Sequence, residues 1–330
     1  MDNINLSEKK IVVIGGGTGL SILLRGLKKY LYNITAIVTV ADDGGGSGVL
    51  REDLGMLPPG DIRACLIALA NTEPTMEKLL QYRFTEGQLT GQSLGNLFIA
   101  AMNSIYGSFE LAIKEMSSVL SITGQVLPMT LESVKLCAEL ENGTIIEGES
   151  IIPSESRKNG SRIKRMFINP SKSYPLDDAL LAIDEADIIV LGPGSLYTSI
   201  IPNLLVNDME DRIFRARAPK VYICNVMTQP GETDGFGVLE HVQGIINHSR
   251  EDLLDYVIVN TEGIPLDVLN KYNKDNATQV MPEPEDRWIL EEYGIRLIKE
   301  NLIDIKHDYI RHDNIAVSKI LLDIANGKYL

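Results

Sequence analysis

One stretch, Ile11 to Gly48, constrains the fold of this chain more than any other. Ile11-Val-Val-Ile14 is a run of branched apolar residues of the kind that forms a strand buried on both faces. Gly15-Gly-Gly-Thr-Gly19 follows without a spacer, and Leu20, Ile22, Leu23, Leu24 and Leu27 then recur at helical spacing, with Lys28 and Lys29 toward the helix end. A second apolar run, Ile34 to Val40, ends in Ala41-Asp-Asp-Gly-Gly-Gly-Ser-Gly48. Strand, glycine turn, helix and strand make one βαβ unit. The right-handed crossover rule brings both loops to one edge of a parallel sheet. Bare amides from the first loop and the carboxylates of Asp42 and Asp43 from the second are expected to face one crevice.

Glycine has a physical reason to be there. Backbone N–H groups at a helix N-terminus bind a phosphate oxygen well, and a Cβ would hold the backbone away from it. Known fingerprints match only in part. Gly15-x-Gly17 has Leu20 at the third glycine position, the alternative start at Gly17 meets Ile22, and no Gly-Lys-Ser/Thr follows. Three readings stay open: a tight turn without a ligand, a dinucleotide site with Asp42 on a ribose, and a metal–phosphate site that uses Asp43 as well. A ribose needs one acid here, whereas a metal–phosphate site uses several, which counts against simple NAD chemistry.

Downstream, Pro58-Pro-Gly-Asp61 sets a turn before a helix from Ile62 to Ala70. Asp61 either caps that helix or joins Asp42 and Asp43 around a divalent cation, and Arg63 reaches a phosphate or pairs with Asp61. Ser93 is a good N-cap for an apolar helix, Leu97 to Ile105, where Asn96 offers a donor and an acceptor to a base or sugar. The texture changes between Gly124 and Asn169 to short, often alternating runs, which predicts an antiparallel strand insertion at about 124–170. Within it, Ser154 to Arg165 reads as a mobile, basic, solvated loop. Buried strands then return at Ala186–Leu191, Lys220–Val226 and Asp255–Asn260. The first ends in Gly192-Pro-Gly-Ser-Leu-Tyr-Thr-Ser199 and the second in Asn225-Val-Met-Thr-Gln-Pro-Gly-Glu-Thr233. Ligands of open α/β sheets collect outside such strand ends. In the last segment Tyr272 and Arg311 draw notice; a guanidinium can clamp a diphosphate, although Asp308 and Asp313 are also near Arg311 in sequence. His241, His248, His307 and His312 lack metalloprotease spacing and read as structural or exposed.

Composition narrows the classes. With 330 residues, 44% hydrophobic and 23% charged, the chain buries a sizeable core and is not disordered. Its formal net charge of −14 repels nucleic acid and anionic membrane, so neither is an expected partner. Cys65, Cys137 and Cys224 form no CxxC pair and read as buried thiols in a reducing compartment. Met1 to Lys10 is polar, and no apolar run approaches the ~20 residues that span a bilayer. The expectation is a cytoplasmic protein.

Six motifs, in order, carry a resemblance: Gly15-Gly-Gly-Thr-Gly19, Val40-Ala-Asp-Asp-Gly-Gly45, Pro59-Gly-Asp-Ile-Arg63, Ser93-Leu-Gly-Asn-Leu97, Gly192 to Ser199, and Asn225 to Thr233. From about residue 9 onward the sequence resembles the bacterial gluconeogenesis factor (YvcK-like) family, relatives of the 2-phospho-L-lactate transferases (CofD) of coenzyme F420 synthesis. Gly46 departs from the family, which usually has Ser or Thr there, so a hydroxyl contact is lost or supplied by Ser47.

The resemblance implies a Rossmann-like α/β three-layer sandwich, built as a single domain over 1–330. It also implies UDP-sugar binding with a regulatory role in growth and cell shape on gluconeogenic carbon. The nucleotide would be held by Gly16, Gly17, Thr18, Gly19, Asp42, Asp43, Asn96, Gly192, Gly194, Ser195, Asn225 and Thr228, with Tyr272 and Arg311 matching positions associated with the UDP-sugar. In the transferase branch, residues matching Asp43 and Asp61 hold the metal, so Mg2+ is the one cofactor implied and these two are the candidate catalytic residues. The alternative is thus a metal-dependent transferase of a phosphate-linked group, with an NAD-dependent enzyme a distant third. Partners expected are a UDP-sugar or other nucleoside diphosphate, a second copy in a homodimer, and a regulatory protein.

Overall fold

A computed structural model describes residues 7–306 and 309–329. The strands, in chain order, are β1 (Ile11–Gly15), β2 (Ile34–Val38), β3 (Gln125–Pro128), β4 (Lys135–Leu140), β5 (Ile145–Glu147), β6 (Ile163–Asn169), β7 (Ile188–Leu191), β8 (Lys220–Ile223), β9 (Tyr256–Asn260), β10 (Arg296–Glu300), β11 (Ile303–Lys306) and β12 (Tyr309–His312). Seven form one sheet in the order β10-β9-β8-β7-β1-β2-β3, with every pairing parallel. β1, β2, β7 and β9 are buried at every residue, as their unbroken apolar runs predict.

The chain leaves β1 toward β2 and β3, returns to β7 on the other side of β1, and continues outward through β8, β9 and β10. Right-handed crossovers running in opposite directions put helices on opposite faces of the sheet. On one face α1 (Gly17–Leu27) packs against α3 (Gly60–Leu69) and the C-terminal helix Asn314–Ala325. Contact with that last helix is tight: Asn314 Nδ2 donates to the Ile22 carbonyl at 3.1 Å. α2 (Gly45–Leu54) begins inside the second glycine run, which the sequence reading leaves as loop.

Two expectations need correcting. Val126-Leu-Pro is not part of the antiparallel insertion, because β3 pairs in parallel with β2 as an edge strand. Pro128 fits such an edge, where its missing N–H faces no neighbour. The insertion sheet is β5-β4-β6, antiparallel throughout. Nor is Ser154 to Arg165 a loop: Ile152–Asn159 is a helix with Pro153 in its first turn and Gly160 as a left-handed C-cap, and β6 begins at Ile163. Its basic residues are solvated, as expected; Lys164 and Arg165 both pair with Glu139. His248 ties the insertion to the body of the protein. Its Nδ1–H donates to the Gly244 carbonyl at 2.7 Å while Nε2 accepts the Met166 N–H at 2.8 Å. All three cysteines are buried and unbonded to one another. Among the described residues, no helix is long and apolar enough to cross a membrane.

A π-turn, Leu196–Ile200, follows the loop after β7 and is fully buried. Such a turn leaves backbone carbonyls off the usual helical pattern. Buried Asn203 supplies them: its Nδ2 donates to Ser199 O at 2.9 Å and lies 3.4 Å from both Ile200 O and Gly15 O. The side chain thereby joins the first and third glycine loops. Asn203→Leu should take the side-chain donor from the buried Ser199 carbonyl and lower unfolding free energy by about 1–3 kcal/mol. Urea titration checks this, and wild-type stability would refute the assignment.

Candidate functional site

β1 and β7 are neighbours at the point where strand order reverses, so their C-terminal loops flank a crevice. Those loops touch. A Cβ on Gly19 would lie 2.5 Å from the Pro193 carbonyl oxygen, so only glycine permits the approach. Beside this contact opens a cleft of about 740 Å3. Its walls include Gly17, Thr18 and Gly19 from the first turn of α1, Gly194 and Ser195 after β7, and Asn225 and Thr228 after β8. Tyr272 and Arg311 close the far side. Nine of the predicted ligand-binding residues are thus brought together from across the sequence.

The others sit elsewhere. Gly192 is a packing glycine, where a Cβ would come 3.1 Å from Val13 Cγ1. Gly16 lies behind the cleft, backed by Thr39 and Asp61. Asn96 is buried in the first turn of the helix Leu94–Tyr106, whose N-cap Ser93 accepts the Asn96 N–H at 3.2 Å. Arg63 donates to the hydroxyl of that same Ser93. Gly46 is close to Gln92; a Cβ there would meet Oε1 at 2.9 Å, and Ser47 is buried beside Gly60.

Asp42 and Asp43 follow β2, one strand away from the β1–β7 crevice, and do not line the cleft. Asp42 Oδ1 accepts the Gly44 N–H at 2.8 Å. Asp43 Oδ1 accepts the Ser150 N–H at 2.9 Å, which ties the second glycine loop to the insertion. Asp61 is not a helix cap. α3 starts at Gly60 with no side-chain cap, and Asp61 Oδ2 accepts the Gly17 N–H at 2.7 Å. One amide of the first loop is therefore already occupied. Burial raises the Asp61 carboxyl to about 6, the Asp42 charge adds to this, and the Gly17 N–H and Arg63 oppose it. Among the described residues, no group of three or more His, Cys, Asp or Glu is arranged to hold an ion. Asp42 is the acid whose charge acts on Asp61, whereas Asp43 is turned to the Ser150 N–H; Asp43 and Asp61 would hold Mg2+ only together with ligand phosphates.

Several lining groups already have partners. Asn225 Nδ2 donates to the Gly194 carbonyl at 2.9 Å, and its Oδ1 is 3.3 Å from the Tyr222 hydroxyl, so it orients the loop. Thr228 Oγ1 accepts the Thr278 N–H at 2.8 Å. Tyr272 Oη accepts the Ile310 N–H at 3.0 Å, which fastens the β11–β12 hairpin to the helix Leu266–Asn273. Arg311 projects from β12, exposed and 5.8 Å from the centre of the Tyr309 ring. Asp308 and His307 lie outside the described residues. His312 also lines the cleft; its Nε2 is 3.0 Å from the Cys224 carbonyl, and burial keeps the ring neutral down to about 4.

The lining carboxyls escape sequence reasoning: Asp275 beside Tyr272, and above all Glu232 and Glu149. Glu232 is buried and accepts a hydrogen bond from Ser195 Oγ, which in turn accepts from Thr198 Oγ1 at 2.7 Å. Burial raises its carboxyl to about 7 against the pull of Ser195 and the Tyr197 backbone. The fourth loop motif does contain Glu232, next to a glycine at a strand end, and that was the available signal. Glu149 comes from the insertion, and nothing local marks it. Burial, then the charges of Asp42 and Glu232, push it up to about 8.

These shifts have a sign. A carboxyl raised in the folded chain holds a proton that the unfolded chain releases, so its stabilisation is lost as pH rises through the folded value. Below about 6.5 the depressed imidazoles of His241, His248 and His312 act in the opposite sense. Between pH of about 6.5 and 8.5 the thermal midpoint should therefore fall, each tenfold change in proton affinity being worth about 1.4 kcal/mol. Glu149→Gln combined with Glu232→Gln should flatten that slope. A wild-type midpoint that holds level or rises across this window counts against the buried pair.

Comparison with known proteins agrees with this arrangement. Residues 11–303 match the family described as 2-phospho-L-lactate transferase CofD. A chain of Thermoanaerobacterium thermosulfurigenes, under a provisional gluconeogenesis-factor name, is 57% identical, covering 97% of this chain and 98% of its own. The gluconeogenesis factor of Bacillus subtilis is 49% identical over 96% of this chain and 98% of its own. A crystal structure of a Bacillus halodurans protein superposes with a TM-score of 0.91 at 48% identity, covering 96% of this chain and all of that one. Sequence and fold agree across nearly the whole length, and the chain belongs to the CofD family, alongside the bacterial gluconeogenesis factors.

Proposed function

We propose that this protein is a cytoplasmic regulator that binds a UDP-sugar in the β1–β7 cleft and supports growth and cell shape on gluconeogenic carbon. The observation that carries the reading is the convergence on one cleft of the α1 amides, the loop after β7 and a C-terminal hairpin bearing Arg311. The amides of Thr18 and Gly19, in the first turn of α1, suit phosphate oxygens, and the α1 dipole favours negative charge there. Among the described residues Arg311 is the one Lys or Arg lining the cleft in an acidic protein, so a diphosphate belongs near it. Because the hairpin is fastened by Tyr272 to a neighbouring helix, ligand contact at Arg311 would bias the hairpin's position and so the surface offered to a regulatory partner.

Arg311→Ala should weaken UDP-sugar binding about tenfold to a hundredfold, the worth of a charge-assisted contact of about 1.5–3 kcal/mol, and Arg311→Lys should restore little of it. Calorimetric titration checks both. Unchanged affinity in the alanine variant would make Arg311 a solvated surface cation.

A second reading, transfer of a phosphate-linked group, is favoured by the buried Asp61 behind Gly17 and by the family itself. Asp43 and Asp61 would hold Mg2+ with the phosphates, the metal supplying charge neutralisation. Under this reading Asp43→Asn and Asp61→Asn abolish metal-dependent turnover of a nucleotide-linked donor. Under the regulatory reading no turnover occurs in the wild type, and nucleotide affinity is insensitive to chelator.

A further inference from the structure

The charge in the cleft is polarised. Among its lining residues are the Arg311 guanidinium, with the Asp275 carboxyl on the same side next to Tyr272, and the two carboxyls Glu149 and Glu232 toward the insertion. The Glu232 charge helps to raise the proton affinity of Glu149, and both carboxyls border Thr198. Asp42 and Asp61 stand behind Glu149 and add the same sign. From the remaining side Tyr197 faces Glu232, with Arg162 beyond it on the insertion. The Ser195 hydroxyl donates to Glu232 and accepts from Thr198, so its proton is already engaged by a lining carboxyl.

Glu149 is held in place from two directions. The Ser150 N–H is anchored on Asp43, and the following helix abuts the β8 loop so closely that a Cβ on Gly231 would lie 2.1 Å from the Pro153 carbonyl oxygen. A turn braced on both flanks does not carry its carboxyl aside when a ligand enters. Phosphate charge is therefore favoured near Arg311 and the α1 amides and disfavoured at the insertion end.

We propose that Glu149 and Glu232 set the specificity of the cleft by excluding a third phosphate, so that the group following the diphosphate must be uncharged. This rests on the nucleotide-binding reading above and adds a direction to it: phosphates toward the hairpin, the uncharged cap toward the insertion. Carboxyl oxygens are good acceptors for the hydroxyls of such a cap and poor neighbours for a phosphate.

The test is calorimetric titration of the full chain with UDP, UTP and UDP-glucose at pH 8.5, above the raised values of both carboxyls. Wild-type protein should bind UDP-glucose at least as tightly as UDP, and UTP at least tenfold more weakly than UDP. Glu149→Gln and, separately, Glu232→Gln should each move the UTP-to-UDP affinity ratio toward one by roughly tenfold, with melting curves confirming that each variant is folded. A ratio that keeps its wild-type value in both folded variants overturns the proposal while nucleotide binding stands. Wild-type protein that binds UTP as well as UDP also overturns it. If the wild type binds none of the three, the nucleotide reading falls and this inference with it.

Discussion

The cleft depends on one close approach, the backbone of Gly19 against the carbonyl of Pro193. With a Cβ only 2.5 Å from that oxygen, any other residue would force the first turn of α1 away from the loop after β7. The parallel pairing of β1 with β7 fixes where the two loops emerge, and Asn203 bonds to carbonyls from both. Loop geometry is thus set by buried backbone contacts that need no ligand. A preformed site of this kind loses little conformational freedom on binding, which favours affinity.

An acidic protein that recognises an anion has to concentrate its few attractive groups. Here the attraction comes from amides, a helix terminus and one arginine, while Glu149 and Glu232 sit together at the other end. The Gly17–Asp61 bond shows the cost of this crowding: a carboxylate occupies an amide that a phosphate would use, and burial pushes that carboxyl partway toward its neutral form. The arrangement sorts ligands by where their charge lies as much as by how much they carry.

Much of this was legible in the sequence, and the reasons are local. β1, α1 and β2 follow from an apolar run, a glycine turn and a helical repeat within 30 residues of one another. The strand ends at Gly192 and Asn225 carry their own punctuation. What could not be read depends on distant partners. Asp61 looks like a cap until Gly17, 44 positions earlier, takes its carboxylate. Glu149 sits in an insertion whose local sequence gives no hint that it returns to the cleft. The helix at Ile152–Asn159 was hidden by its charge, although Pro153 and Gly160 mark its two ends. β3 resembles the insertion because an edge strand of four residues ending in proline carries too short a pattern to show its partner.

The packing of the helix Asn314–Ala325 on α1 has a consequence for synthesis. α1 carries the amides of the first loop, yet the wall opposite is built from residues roughly 290 positions later, and Asn314 bonds to the Ile22 carbonyl. While the ribosome still holds the C-terminal segment, the nascent chain has β1, α1 and both glycine loops but no hairpin and no covering helix. The face of α1 that later packs on this helix, with Gly26 against Asn314 and Ser318, is then bare. The cleft is completed only once Tyr309 to Val317 have emerged, so a ligand meets either a closed cleft or an open half-site.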